Sequence, residues 1–289
     1  MKKLSILAAT AAAIAVLSAT PVLAKAKANA PAAVSAPAKI DGKPNLNGVW
    51  QTMGSANWNL EPHSAASNPL PAADRLIGAM GAISAGLGVV EGGTIPYKPE
   101  ALDQLKANRE HIINHDPEAA CYLPGIPRAT YMGHPFQIVQ GGGDDIFVAY
   151  EYASANRVIK MGEVGIPPID TWMGTSYGQW EGDTLVVTTL AQSPGDVKLP
   201  GGALEPGVTW LDRAGNYLTN TTTVVERFTV RDKDHIDYEV TITDPELYTR
   251  PWKIKMPLYR RIEDNAQLLD FRCVPFSENL LYGDLLEKK

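Results

Sequence analysis

From Pro135 to Cys273 apolar and polar residues mostly alternate, in short runs bounded by Gly, Asp or Asn. Alternation with a period of two places one face of each run on a core and predicts β-strands. The runs are Phe136–Gln140, Asp145–Tyr152, Arg157–Met161, Tyr177–Glu181, Thr184–Leu190, Thr221–Arg231, His235–Thr243, Trp252–Arg261 and Gln267–Cys273. An earlier run, Asn45–Thr52, predicts a first strand. Gly141–Gly143, Gly182-Asp183, Asp232-Lys233-Asp234 and Glu263-Asp264-Asn265 supply turns. Successive strands joined by short turns predict a mainly β fold, an antiparallel meander that loses its edges by closing into a barrel.

One segment breaks this period. Pro99–Asn114 opens with Pro99, Glu100 and Asp103 and spaces Leu102, Leu105 and Ile112 for one helical face, ahead of Pro117. Asn57–Asp74 reads as loop. Leu76–Val90 carries no charge and is rich in Gly and Ala, which predicts a buried connector, or else a lid or subunit contact that would make a homo-oligomer. Gly86 and Gly88 do not complete a dinucleotide fingerprint, because Glu91 stands where the third glycine belongs.

The N-terminus has a different grammar. Lys2 and Lys3 precede an apolar stretch from Leu4 to Leu17 and small residues up to Ala24, the pattern of a secretory signal peptide cleaved after Ala24. The apolar run is shorter than the roughly 20 residues a membrane span needs, so no stable span is expected after cleavage. Residues 25–44 read as a flexible tether rich in Ala, Pro and Lys, and 45–289 as a single β domain. The expected location is periplasmic or secreted. The formal charge of −6 argues against nucleic acid as a partner. The two cysteines, Cys121 and Cys273, are expected to form a disulfide in an oxidising compartment.

Several residues carry candidate chemistry. Gly174-Thr175-Ser176-Tyr177-Gly178 matches the G-x-S-x-G elbow of serine hydrolases. Its flanks read as a β-hairpin, whereas the elbow needs a strand–turn–helix corner. A triad there would take Asp212 and His235, and His235 lies at a turn. His111 and His115 are four apart but lack the internal glutamate of H-E-x-x-H, so no metal and no cofactor is expected. Glu226 alternates in phase with Val224, Phe228 and Val230 and so faces the apolar side. A lone carboxylate there would be poised as an acid or base; the competing reading is a buried ion pair with Arg128 or Arg157. His134, Tyr131 and Arg128 cluster before a strand, where a barrel mouth would bind and deprotonate an oxygen-bearing ligand. Glu151 faces either the lumen or solvent. Trp172, Trp210, Tyr217, Tyr248 and Trp252 fall in loops or at strand ends, where they plug a barrel or line a pocket for a flat ligand.

Gly48-Val49-Trp50 is similar to the G-x-W of lipocalins (calycins), which implies a barrel with one end plugged by tryptophan. Cys121-x-x-Pro124-Gly125-x-Pro127-Arg128, Thr171-Trp172-Met173-Gly174, Trp180-Glu181-Gly182-Asp183-Thr184-Leu185, Trp210-Leu211-Asp212, Glu226-Arg227-Phe228 and Tyr248-Thr249-Arg250-Pro251-Trp252 resemble a family of secreted, largely uncharacterised bacterial proteins. In that family a histidine often follows Trp-Met-Gly; here the position is Thr175. The expected function is a barrel-mouth site for a small apolar, aromatic molecule. Its enzymatic form is cofactor-free lyase or isomerase chemistry by Glu226, His134, Tyr131 and Arg128, with Glu151, Trp172, Trp210, Tyr248 and Trp252 lining the ligand. The alternatives are a non-catalytic carrier or scavenger, a serine hydrolase at Gly174–Gly178, and an interaction protein.

Overall fold

The computed structural model describes residues 38–67, 82–110, 116–141, 144–193, 195–198, 204–206 and 209–274. The leader, most of the tether, the His111 and His115 pair and residues 76–81 of the apolar segment lie outside that set. Among the described residues no helix is long and apolar enough to cross a membrane.

Nine strands form a closed barrel: β1 Gly48–Gln51, β2 Phe136–Val139, β3 Ile146–Tyr150, β4 Asn156–Met161, β5 Thr175–Glu181, β6 Thr184–Leu190, β7 Thr223–Asp232, β8 His235–Thr243 and β9 Trp252–Arg260. Each strand pairs with its neighbours in sequence, and β9 returns to β1 through Tyr259↔Gln51 and Arg260↔Trp50. Every pair is antiparallel except β4 with β5, where Ile159 stands beside Ser176 and Met161 beside Gly178. Strand number explains the exception. Direction reverses at each antiparallel step, and a closed ring must contain an even number of reversals, so nine strands require a parallel pair. The lipocalin barrel implied by Gly-x-Trp has eight strands and needs none.

Strand phase matches the alternation closely. Thr184–Leu190 and His235–Thr243 have the bounds their sequence predicts, and the others differ by one to three residues at an end. Gln267–Cys273 is a correction: it forms no strand. That stretch lies over the β3–β4 connection, where the Leu269 amide donates to Glu151 Oε2 at 2.9 Å and Cys273 bonds to Cys121. The expected helix is present from Pro99 to Glu110, and its last expected residues lie outside the described set. A 3-10 turn at Pro99–Ala101 leads into α1, Leu102–Glu110, which buries Leu105 and Asn108.

The two barrel ends differ. One carries the two-residue turns Gly182-Asp183 and Lys233-Asp234 and is plugged by Trp50. The Trp50 indole donates to Leu46 O at 2.8 Å, and the Arg260 guanidinium lies 4.2 Å from its ring centroid. Gly48 has φ of +146°, and a Cβ there would lie 1.9 Å from Arg260 Nη1, so this corner accepts only glycine without rearrangement. Lys39–Ile40 and Lys43–Pro44, within the expected tether, form a small ribbon, and Lys39 Nζ reaches Asp183 at 3.1 Å. The opposite end is roofed by the described parts of the long connections 52–135, 191–222 and 244–251, with α1 among them.

The lumen is filled. Phe136, Val148, Ile159, Val187, Phe228, Val240 and Ile254 are buried from seven strands. Each contributes roughly 1.5–3 kcal/mol relative to exposure. The space among Phe136, Val148, Arg157, Ile159, Leu185 and Phe228 totals about 240 Å³ and is nowhere wide enough for a water molecule.

Candidate functional site

Three groups of side chains hold the residues singled out in the sequence, and a fourth holds residues that were not. Inside the barrel, the alternation of β7 turns Glu226 inward, where it is fully buried. It is not alone. Arg157 Nη1 donates to Glu226 Oε2 at 2.6 Å and Nη2 to Oε1 at 3.0 Å, while the Tyr238 hydroxyl donates to Oε1 at 2.7 Å. The ion-pair reading, with Arg157, therefore describes this carboxylate. Ser176 is buried in β5 with its hydroxyl 2.9 Å from Thr189 Oγ1, and no strand–turn–helix corner forms around it. Tyr150 Oη, Thr130 Oγ1 and Arg157 Nε are buried beside this group without a hydrogen-bond partner. Burial pushes the Tyr150 phenol up to about 12.

Arg128 and Tyr131 lie in the roof, apart from Glu226. The one-turn helix Arg128–Tyr131 buries all four of its residues. Arg128 grips Asp116 with two bonds of 2.7 Å and reaches Glu118 Oε2 at 2.8 Å. Glu118 also takes Arg213 Nε at 2.8 Å, and the Arg213 guanidinium stacks 4.4 Å from the Trp58 ring centroid. Burial works to raise the Glu118 carboxyl, but the bonds and charges of Arg213 and Arg128 outweigh it and hold the group below its usual range. Tyr131 donates to Leu211 O at 2.9 Å. His134 meets Glu151 at 3.2 Å and packs edge-on against Phe271. The expected Arg128–Tyr131–His134 constellation is thus divided among three sets of partners.

The aromatics plug the same end. Tyr248 donates to Tyr217 O at 2.6 Å and meets Trp252 edge-on at 5.4 Å. Trp210 is buried opposite Tyr217 in a two-residue ladder, and Trp172 packs on Tyr122 at 5.0 Å. Asp212 binds the roof together: it accepts from the Leu60 amide at 2.8 Å and Asn216 Nδ2 at 2.7 Å, and burial pushes its carboxyl up to about 6.

A concavity lies elsewhere, at the seam between β9 and β1. Beyond the Arg260↔Trp50 and Tyr259↔Gln51 rungs the two strands part. Val89–Glu91 takes over the lower edge of β9, with Lys255 N bonded to Val89 O at 3.0 Å and Glu91 N to Lys253 O at 2.8 Å. Pro257, which has no N–H to offer a neighbour, sits where the wall opens. The resulting cleft has a volume of about 710 Å³ and is walled by Met53, Ser55, Trp58, Leu87, Met256 and Pro257 among others. Leu87 is 97% exposed and Met53 73%. Met256 also packs on the core and stands opposite Tyr238 in register. The 84–89 part of the apolar segment is therefore a cleft wall, not a buried connector, while Val90 is buried in the core. The lid alternative for the apolar Leu76–Val90 segment and Trp58, a lone aromatic in a polar loop, were the sequence signals for this site.

Among the described residues no cluster of His, Cys, Asp and Glu is arranged to hold a metal ion. Compared with protein-family models, with curated proteins and with solved structures, the chain matches none.

Proposed function

We propose that this chain binds a small apolar, aromatic molecule in the seam cleft and acts as a carrier or scavenger. The observation that carries the reading is the contrast between a lumen too narrow for water and an open cleft of about 710 Å³ with exposed Leu87 and Met53 and half-buried Trp58 on its walls. Small-molecule sites typically occupy ~300–1,000 Å³ and combine apolar walls with a few polar groups. Ser55, Asn57 and Asn59 supply the polar groups here. What favours binding over lyase or isomerase chemistry at Glu226 is that both its oxygens already accept charge-assisted or phenolic hydrogen bonds.

Titration with a panel of aromatic compounds, read by tryptophan emission with Trp58→Phe as the control, tests the proposal. A binder should lose at least tenfold in affinity on Leu87→Asp with an unchanged melting temperature. Equal affinity in the wild-type and Leu87→Asp proteins, or no response to any compound, would overturn it.

A further inference from the structure

The cleft is lined by a serine, Ser55, and a histidine, His63, packs behind it; the barrel chemistry uses neither. His63 and Gly86 form an antiparallel rung, exchanging two backbone hydrogen bonds of 2.9 Å. The His63 ring turns over Gly86, with Nδ1 2.9 Å from Glu61 O. A carbonyl oxygen only accepts, so Nδ1 carries the proton and Nε2 keeps the lone pair. That Nε2 is buried and has no hydrogen-bond partner. A native chain that leaves a buried acceptor unmet calls for an explanation.

Ser55 supplies one. At the point where a side chain on Gly86 would begin, Ser55 Oγ is 2.2 Å away, His63 Cε1 2.4 Å and His63 Nε2 3.0 Å. Because residue 86 has no Cβ, the hydroxyl and the imidazole edge face one small gap. Ser55 itself lines the cleft. A serine hydroxyl on the ligand side, an unprotonated ring nitrogen behind it and a fixed acceptor on the far nitrogen are the parts of a base-activated nucleophile.

We infer that Ser55 is a nucleophile and His63 its general base, acting on esters of apolar acids; the inference rests on the seam cleft being a ligand site. Ser55 Oγ bonds to the ester carbonyl carbon as its proton passes to His63 Nε2, and the carbonyl π pair moves onto the oxygen. Collapse of that adduct expels the alkoxide, which takes the proton from Nε2 and leaves acyl-Ser55. Water then adds, again giving a proton to His63, and Ser55 Oγ departs with that proton as the acid is released. The sum is ester plus water to acid plus alcohol. Esters suit the site better than amides, because a backbone carbonyl supports the imidazolium less than a carboxylate does, and the Glu61 carboxylate is engaged by the Ile95 amide at 2.7 Å.

Labelling the full chain with a fluorophosphonate probe, together with turnover of p-nitrophenyl benzoate, is the test. Peptide mapping should place the label on Ser55 and none on Ser176. Ser55→Ala should abolish labelling, and His63→Gln should slow labelling and turnover at least 100-fold while melting as the wild type does. Binding of a non-hydrolysable aryl ketone should persist in Ser55→Ala. Ketone binding without any Ser55 labelling would overturn the nucleophile and leave the cleft reading standing. Absence of both would overturn the two together, and labelling unchanged in Ser55→Ala would overturn the nucleophile alone.

Discussion

Arg157 and Glu226 meet inside the barrel from strands that are not neighbours, β4 and β7, at 2.6 and 3.0 Å. Their contact spans the lumen behind β5 and β6 and ties opposite walls. Removing one charge strands the other in an apolar interior, where the loss is typically ~3–5 kcal/mol. Glu226→Gln should therefore lower the urea midpoint strongly, whereas Arg157→Met combined with Glu226→Leu should recover most of the loss. Chemical melts of the two variants check this, and an unchanged midpoint in Glu226→Gln would show that the pair does not hold the walls.

Gly48 and Arg260 give a second expectation. Gly48→Ala meets the guanidinium stacked on Trp50 and also forces alanine to φ of +146°. The double change Gly48→Ala with Arg260→Ala relieves only the collision. Both variants should be destabilised, the single one by ~1–3 kcal/mol. Thermal melts that match the wild type for the single variant would contradict this account.

The Cys121–Cys273 bridge closes a separation of 152 residues. The chain-entropy model assigns such a loop about 5 kcal/mol of stabilisation. Denaturing, non-reducing thiol labelling should find neither cysteine free. The paired change Cys121→Ser and Cys273→Ser should lower stability by up to that amount and raise amide exchange at Leu269, whose one hydrogen bond to Glu151 would then hold the segment.

Two buried aspartates set opposite pH slopes. Burial raises Asp212 to about 6, so the folded chain holds a proton that the unfolded chain gives up earlier. Its stabilising contribution is full below about pH 4 and is lost as pH rises through 6, by about 3 kcal/mol for a shift of this size. At Asp244 burial also acts to raise the carboxyl, but donors from Thr219, Thr222 and the Glu246 and Leu247 amides outweigh it and hold the group below its usual range. That contribution is present above the ordinary carboxylate range and is lost as pH falls through the folded value. Urea midpoints at pH 4.5, 5.5 and 7 should show a decline in the wild type that Asp212→Asn flattens. An equal slope in both proteins would remove Asp212 from the account.

The barrel was legible in the sequence because alternation is local: each run in β6 or β8 announces its own buried face. The disulfide followed from two isolated cysteines in a chain whose first residues read as a secretory leader. What alternation cannot encode is the partner across the lumen, so the phase of Glu226 was correct while its pairing with Arg157 rather than Arg128 stayed open. The parallel β4–β5 pair was invisible because nothing in Gly162–Gly174 counts strands. Ser55, Trp58 and His63 lie close together in sequence but in a stretch without periodicity, and the cleft that Ser55 and Trp58 share with Met256 and Pro257 arises from a wall opening between strands more than 200 positions apart.

That distance has a kinetic consequence. Tyr259↔Gln51 and Arg260↔Trp50 close the ring, and Arg260 also donates to the Asn47 carbonyl across 213 positions. Every other wall contact can form between strands adjacent in sequence, but this one waits until nearly the whole chain exists and its ends have met. Closure entropy for so long a loop must be met before any rung rewards it. Before closure, β1 and the part of β9 beyond its Val89–Glu91 pairing are the edges of the open sheet. Pro257 in β9, unable to donate to a stray strand, protects that edge during the interval as well as shaping the cleft afterwards.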